Sequence, residues 1–291
     1  MKLATFTHSG STRIGVVEDE EIVDLSAAAP DLPVDLVSLL EAGPAALERA
    51  KRAAASAPTR IPLDDVHLLA PVLRPPKVLA VGLNYADHVA ESGMEQPMHP
   101  TIFNKQSTSV TGPYDPVHLP RASSALDYEG ELGFVIGKRC RHVPRDRAAQ
   151  VVAGYVVVND VSVRDWQFHT PTMTMGKSFD THCPMGPWLT TPDEIGDPHT
   201  LGLRTWVDGE LRQDSNTKQL IFDCFAIIEY LSTAFTLEPG DLISTGTPGG
   251  VGIARKPTQL LVAGDVMRIE IDGLGQIENP VIEEPEDTPL P

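Results

Sequence analysis

Asp127-Tyr128-Glu129-Gly130-Glu131-Leu132-Gly133-Phe134-Val135-Ile136 is the most informative stretch of the 291-residue chain. Residues two apart on a strand share a face, so Glu129 and Glu131 point the same way, and the small Gly130 between them lets another group approach closely. The apolar run that follows reads as a strand entering a core. There, two like charges cost on the order of several kcal/mol each unless something positive lies between them. A hard divalent cation (magnesium, manganese or calcium) meets that need, because carboxylate oxygens are its preferred donors. The lack of clustered Cys or His ligands argues against structural zinc. An edge strand with a solvated acidic face has the same spacing. A third acid, Asp160, ends the apolar run Val156-Val157-Val158-Asn159, where a strand breaker marks either a ligand or a turn.

Outward from this stretch the chain is β-rich. Val78 to Val81, Leu132 to Ile136, Val151 to Val158, Thr205 to Val207, Leu242 to Ser244 and Val266 to Ile271 read as strands between Gly, Pro and Asp turns. Ile221 to Phe235 carries Ile221, Phe225, Ile228, Leu231 and Phe235 on one helical face. Toward the N-terminus, residues 2 to 7 and 12 to 24 read as hairpin strands, and Asp35 to Glu41 and Ala45 to Ala55 as helices. Pro71, Pro75 and Pro76 cannot sit inside a regular element, which places a boundary near residue 70. The fold class is therefore α+β and β-rich, with a small α/β N-terminal module at 1–70, a larger unit at 71–280 and an acidic, proline-rich tail at 281–291. No internal repeat is evident.

Composition narrows the function. Forty acidic against 23 basic residues give a net charge of −17, which disfavours nucleic acid and anionic membranes as partners. The three cysteines, Cys140, Cys183 and Cys224, are too few and scattered for a disulfide framework. The longest apolar runs are too short to span a bilayer, and the first residues lack a secretory apolar region. A cytoplasmic location is expected.

Several familiar motifs fail. Gly176-Lys177-Ser178 ends like a phosphate loop, but Pro171 stands where the leading glycine is needed. Gly246-Thr247-Pro248-Gly249-Gly250-Val251-Gly252 lacks dinucleotide spacing, and neither H-E-x-x-H nor G-x-S-x-G occurs. His88 and Glu91 lie three apart in Ala86-Asp87-His88-Val89-Ala90-Glu91, one helical turn, where a carboxylate can orient an imidazole as a general base. An exposed polar helix carries such pairs without function. Lys177 is either a buried ammonium that stabilises negative charge or an ordinary surface lysine.

Taken in order, Gly82-Leu83-Asn84-Tyr85-Ala86-Asp87-His88, Asp127 to Leu132, Asn159-Asp160 with Arg164-Asp165-Trp166-Gln167, Gly176 to Asp180, Val207-Asp208-Gly209-Glu210 and Thr245 to Gly252 resemble the fumarylacetoacetate hydrolase family over roughly residues 75 to 280. The resemblance implies a mixed β-roll catalytic domain, usually homodimeric, here preceded by the small N-terminal domain of longer bacterial members. It makes Glu129, Glu131 and Asp160 the ligands of Mg2+ or Mn2+, with Ca2+ as a substitute in crystals. It places His88 and Glu91 on a water-activating dyad, Lys177 on the catalytic lysine, Lys105 and Gln167 on supporting substrate-binding positions, and Thr247 in a loop that receives a substrate carboxylate.

The activity implied is hydrolysis of a carbon-carbon bond in a 2,4-diketo acid of acylpyruvate or fumarylpyruvate type, giving pyruvate and a carboxylic acid, in a setting such as aromatic catabolism. Oxaloacetate decarboxylation and 2-oxo-acid isomerisation use the same site logic. A non-catalytic metal-dependent binder of small oxo acids would carry the same residues.

Overall fold

A computed structural model describes residues 1–93 and 95–286 of the chain. Its organising element is the strand Gly130–Ile136, buried along its whole length. It pairs antiparallel with Val152–Asn159 on one side and with Leu242–Ser244 on the other. A strand flanked on both edges and covered on both faces needs an unbroken apolar run rather than an alternating one. Val135, Val156 and Val158 pack on one face, and Leu132, Phe134, Ile136 and Val157 on the other. The acidic stretch is therefore not an edge strand with a wet face.

The large sheet runs through Ile61–Pro62, Glu21–Asp24, Ser11–Glu18, Lys2–His8, Cys183–Thr190, Val152–Asn159, Gly130–Ile136, Leu242–Ser244, Val78–Gly82 and Thr101–Lys105, with His67–Leu69 and Val110–Thr111 as side branches. The N-terminal strands thus continue the sheet of the larger unit, through the pairing of Lys2–His8 with Cys183–Thr190. Helices Leu36–Glu41 and Pro44–Ser56 cover one face through Leu36, Leu39, Leu40, Ala50 and Ala54. The other face meets helix Cys224–Ala234 and a second sheet of Glu210–Asn216, Gly202–Val207, Val266–Ile271, Gly275–Glu283 and Val117–Leu119. Most pairings are antiparallel, but Leu242–Ser244 runs parallel to Val78–Gly82, and Gly275–Glu283 to Val117–Leu119, so both sheets are mixed.

Several elements differ from the sequence reading, which gave no strand at Thr101–Lys105, Glu210–Asn216 or Gly275–Glu283. Helix Cys224–Ala234 starts three residues later than the periodicity predicts, because Asp223 caps it by accepting from the Phe225 and Ala226 amides at 3.0 and 2.8 Å. Ile221 and Phe222 instead donate their amides to Asn84. The strand Cys183–Thr190 contains Pro184 and Pro187 and gives no clear strand signal, yet it lies inside the sheet; its ladder with Val152–Asn159 is irregular between Tyr155 and Val157, which accommodates them. The last strand, Gly275–Glu283, runs three residues into the expected tail, whose residues 287–291 lie outside the described residues.

Gly154 shows how tightly the junction is packed: a Cβ there would lie 2.4 Å from the Thr190 carbonyl oxygen, which is backbone and cannot swing away. Gly154→Ala should lower stability by about 1–3 kcal/mol, read as a lower midpoint in urea denaturation. An unchanged midpoint would contradict this packing.

Candidate metal centre and active site

Glu129 directly precedes the central strand, Glu131 is its second residue, and Asp160 directly follows the paired strand Val152–Asn159. The hairpin register sets Gly130 opposite Asn159, which brings the three acids to one end of the sheet. All three are buried, and one carboxylate oxygen from each lies within 4.8 Å of the others.

Basic side chains share this space. Lys177, at the end of helix Thr174–Lys177, donates from Nζ to Glu129 Oε2 and Asp160 Oδ2, both at 2.7 Å. Lys105, on the edge strand Thr101–Lys105, donates to Asp160 Oδ1 at 2.6 Å and to the Val161 carbonyl at 3.3 Å. Arg164 bridges Glu129 and Asp127, with Nη1 2.5 Å from Glu129 Oε1 and Nε 2.8 Å from Asp127 Oδ2. Lys177 is therefore no surface lysine. Its burial works against the charge, but Asp160 and Glu129 outweigh this and raise its pKa.

The three acids are not equivalent. Burial raises the Glu129 carboxyl, but Lys177 and Arg164 overcome it and hold the group down at about 2. Among the described residues no lysine or arginine forms an ion pair with Glu131; its Oε2 accepts from Ser244 Oγ at 2.5 Å and from the Gly246 amide at 2.8 Å. Burial, with Asp160 and Glu129 adding to it, pushes Glu131 well up. A hard divalent cation fits this donor set. It would be held by Glu129, Glu131 and Asp160, all oxygen donors, and would supply the positive charge that Glu131 lacks.

The glycine-rich stretch after Leu242–Ser244 is an acid-binding loop rather than a phosphate loop. Its Gly246 amide donates to Glu131, its Gly250 amide to both oxygens of Glu91 at 3.1 and 3.0 Å, and its Gly252 and Ile253 amides to Asp127 at 2.8 and 2.9 Å. Gly250 has φ +102°, and a Cβ there would lie 2.1 Å from the Arg212 carbonyl oxygen, so glycine is required.

His88 and Glu91 fall on helix Ala86–Ser92, with Nδ1 3.5 Å from Glu91 Oε2. Four residues separate Gly246 from Gly250, a span of at most ~14 Å, so one short loop touches both the triad and the His88–Glu91 pair. Gln167 Oε1 accepts from Arg164 Nη1 at 2.9 Å, next to the triad. Thr247 is buried, and its hydroxyl is engaged inside the protein, donating to the Gly130 carbonyl at 3.0 Å and accepting from Gln213 Nε2 at 2.8 Å. It braces the metal strand in this structure.

The sequence reading gave no role to Arg164, Asp127 or Gln213. Arg164 opens the motif Arg164-Asp165-Trp166-Gln167, yet nothing in its spacing shows that it points into the acids. Gln213 accepts from the Gly130 amide at 2.9 Å and donates to Thr247 and the Pro248 carbonyl, joining the second sheet to the site. Only folding brings position 213 to position 130.

Residues 77–282 match the family model described as Fumarylacetoacetate (FAA) hydrolase C-terminal, and residues 1–71 match the one described as Rv2993c-like, N-terminal. The chain belongs to the fumarylacetoacetate hydrolase family. Family relatives include the mitochondrial oxaloacetate tautomerase fahd2 of Xenopus laevis, 46% identical over 97% of this chain and 90% of that protein. Among solved structures, the fumarylacetoacetate hydrolase of Exiguobacterium antarcticum is 37% identical with a TM-score of 0.86, covering 98% of this chain and all of that one. The maleylpyruvate hydrolase of Sphingobium sp. SYK-6 in complex with manganese(II) and pyruvate is 36% identical with a TM-score of 0.80, over 97% and 99% of the two chains.

Because burial and the neighbouring Asp160 and Glu129 push the Glu131 carboxyl up, a proton and a cation compete for its oxygens. Manganese binding should therefore release protons and tighten as pH rises, since raising pH removes the competing proton. Calorimetric titrations in buffers of different ionisation enthalpy read the proton count; a count of zero with pH-independent affinity would contradict the unpaired state of Glu131.

Proposed function

We propose that this protein is a magnesium- or manganese-dependent enzyme acting on small 2-oxo acids, and that its reaction is hydrolysis of the carbon-carbon bond of a 2,4-diketo acid to pyruvate and a carboxylic acid. The observation that carries this reading is the shared loop: Gly246 holds triad residue Glu131 while Gly250 holds Glu91, the partner of His88. The cation, when bound, would supply Lewis-acid polarisation of the oxo acid. Everything else falls to the chain.

Glu91 faces His88 Nδ1, leaving Nε2 as the nitrogen that takes a proton from water. The resulting hydroxide adds to the distal carbonyl, and the ammonium groups of Lys177 and Lys105 stabilise the negative charge that develops there. As the carbon-carbon bond breaks, the electron pair passes to the three-carbon fragment, which becomes pyruvate on protonation at C3. Gln167, fixed by Arg164, orients the oxo acid. The manganese and pyruvate in the similar maleylpyruvate hydrolase structure support both the metal and the product.

Oxaloacetate tautomerisation is the second reading, favoured by the relative from Xenopus laevis that bears that name and matches nearly the full chain. It needs a proton moved between C3 and the C2 oxygen, a transfer His88 can mediate without water attack. A cytoplasmic homodimer completes the reading, and the three free cysteines agree with a reducing setting.

One panel separates these outcomes. With Mn2+ present, acylpyruvates should release pyruvate, and Glu131→Gln should abolish release and weaken Mn2+ binding by on the order of 100-fold or more. His88→Ala should slow hydrolysis by about 10²–10⁴-fold with little change in Mn2+ affinity. Interconversion of enol and keto oxaloacetate without pyruvate release would favour the tautomerase reading. Thermal stabilisation by oxalate with no turnover of any acid would overturn both in favour of a binding protein.

A further inference from the structure

The helix that carries His88 is an unusual support for a catalytic group. Ala86–Ser92 is seven residues long, below the length at which an isolated helix persists, and no side chain caps its N-terminus. Short helices in proteins normally survive by burying a face, yet none of residues 86–91 is buried. Polar attachments at its two ends help to hold it. At the first turn, Ser215 Oγ donates to Asp87 Oδ2 at 2.5 Å, while Asp87 Oδ1 accepts from the His88 amide at 2.7 Å. At the last turn, the Gly250 amide donates to the Glu91 carboxylate. Immediately before the helix, buried Asn84 donates to the carbonyls of Thr245 and Phe222 at 2.7 and 2.9 Å.

Ser215 sits on the strand Glu210–Asn216, two residues from Gln213, and alternate residues of a strand share a face. The Gln213 side chain contacts the Gly130 amide of the metal strand and the Thr247–Pro248 loop. One strand face therefore sets the distance between the metal strand, the glycine loop and the His88 helix.

We propose that Ser215, acting through Asp87, is a positioning residue that fixes His88 relative to the glycine loop that also binds Glu131; this rests on the reading of His88 and Glu91 as the water-activating pair. The bond at Asp87 orients the turn on which the next residue is His88. Without the Ser215 hydroxyl, the first turn of the helix loses its bond to the second sheet, and the His88 imidazole is held less firmly while Glu129, Glu131 and Asp160 are untouched.

The test uses the full-length protein with Mn2+ as wild type, Ser215→Ala and Ser215→Thr. Amide hydrogen exchange over 86–92, Mn2+ affinity, kcat and KM are measured for each, with whichever oxo acid is turned over. Ser215→Ala should accelerate exchange over 86–92 and lower kcat, each by about five- to ten-fold, with KM and Mn2+ affinity unchanged. Ser215→Thr, which keeps the hydroxyl, should recover both. An unchanged kcat in Ser215→Ala overturns the proposal, and so does exchange accelerated throughout the molecule with loss of Mn2+ affinity, since that marks a general structural defect. Exchange needs no turnover: if the wild type processed none of the acids, the functional reading would fail, while acceleration confined to 86–92 would still support the attachment through Ser215.

Discussion

Four carboxylates, those of Asp127, Glu129, Glu131 and Asp160, are buried together at one end of the central sheet, and the surrounding structure meets the cost of placing them there. Unpaired charge in a dry interior costs several kcal/mol or more per group, so each acid needs a cation or a set of donors. Arg164 serves Asp127 and Glu129, Lys177 serves Glu129 and Asp160, and Lys105 serves Asp160. Four acids meet three bases. The deficit falls on Glu131, which among the described residues has no lysine or arginine in an ion pair and accepts instead from a hydroxyl and an amide. Neutralisation by a proton is one resolution and by a divalent cation the other, and the two compete for the same oxygens.

This constraint accounts for features of the chain that look unrelated in one dimension. The glycine-rich stretch is needed because backbone N–H groups must approach three different acids within a few residues, and side chains would hold the loop away. Burial of the central strand on both faces fixes the register that sets Gly130 opposite Asn159 and so brings Glu129, Glu131 and Asp160 together. The second sheet contributes no acid to the triad. Its part is to brace the site through Gln213 and the His88 helix through Ser215.

Much of this was legible in the sequence. The apolar strands around residues 78, 132, 151 and 242 announce themselves because strands buried on both faces are continuous hydrophobic runs, and Val266–Ile271 does so by alternation, with one face buried. The E-x-E spacing shows two acids on one face, and local spacing also pairs His88 with Glu91. What stayed hidden depends on chain-distant contacts. Nothing in the run from Cys183 to Thr190 reveals a central strand, because its prolines are tolerated only through an irregular ladder with Val152–Asn159. Periodicity extends the last helix back to Ile221, since it cannot register that Asn84, 138 positions from Phe222 in sequence, takes that residue's amide. The directions of Arg164 and Gln213 are likewise products of the fold, and Thr247 turns its hydroxyl inward for the same reason.

The central claim is that Glu129, Glu131 and Asp160 form one cation site completed by metal rather than by a proton. Anomalous diffraction at the manganese edge from crystals grown with Mn2+ tests it most directly. The account predicts a single strong peak ligated by one oxygen from each of the three side chains, at about 2.0–2.3 Å, with coordination positions left over for substrate. A map with no peak between them, or with the ion held elsewhere while the Glu131 carboxyl turns away from its two neighbours, would contradict it.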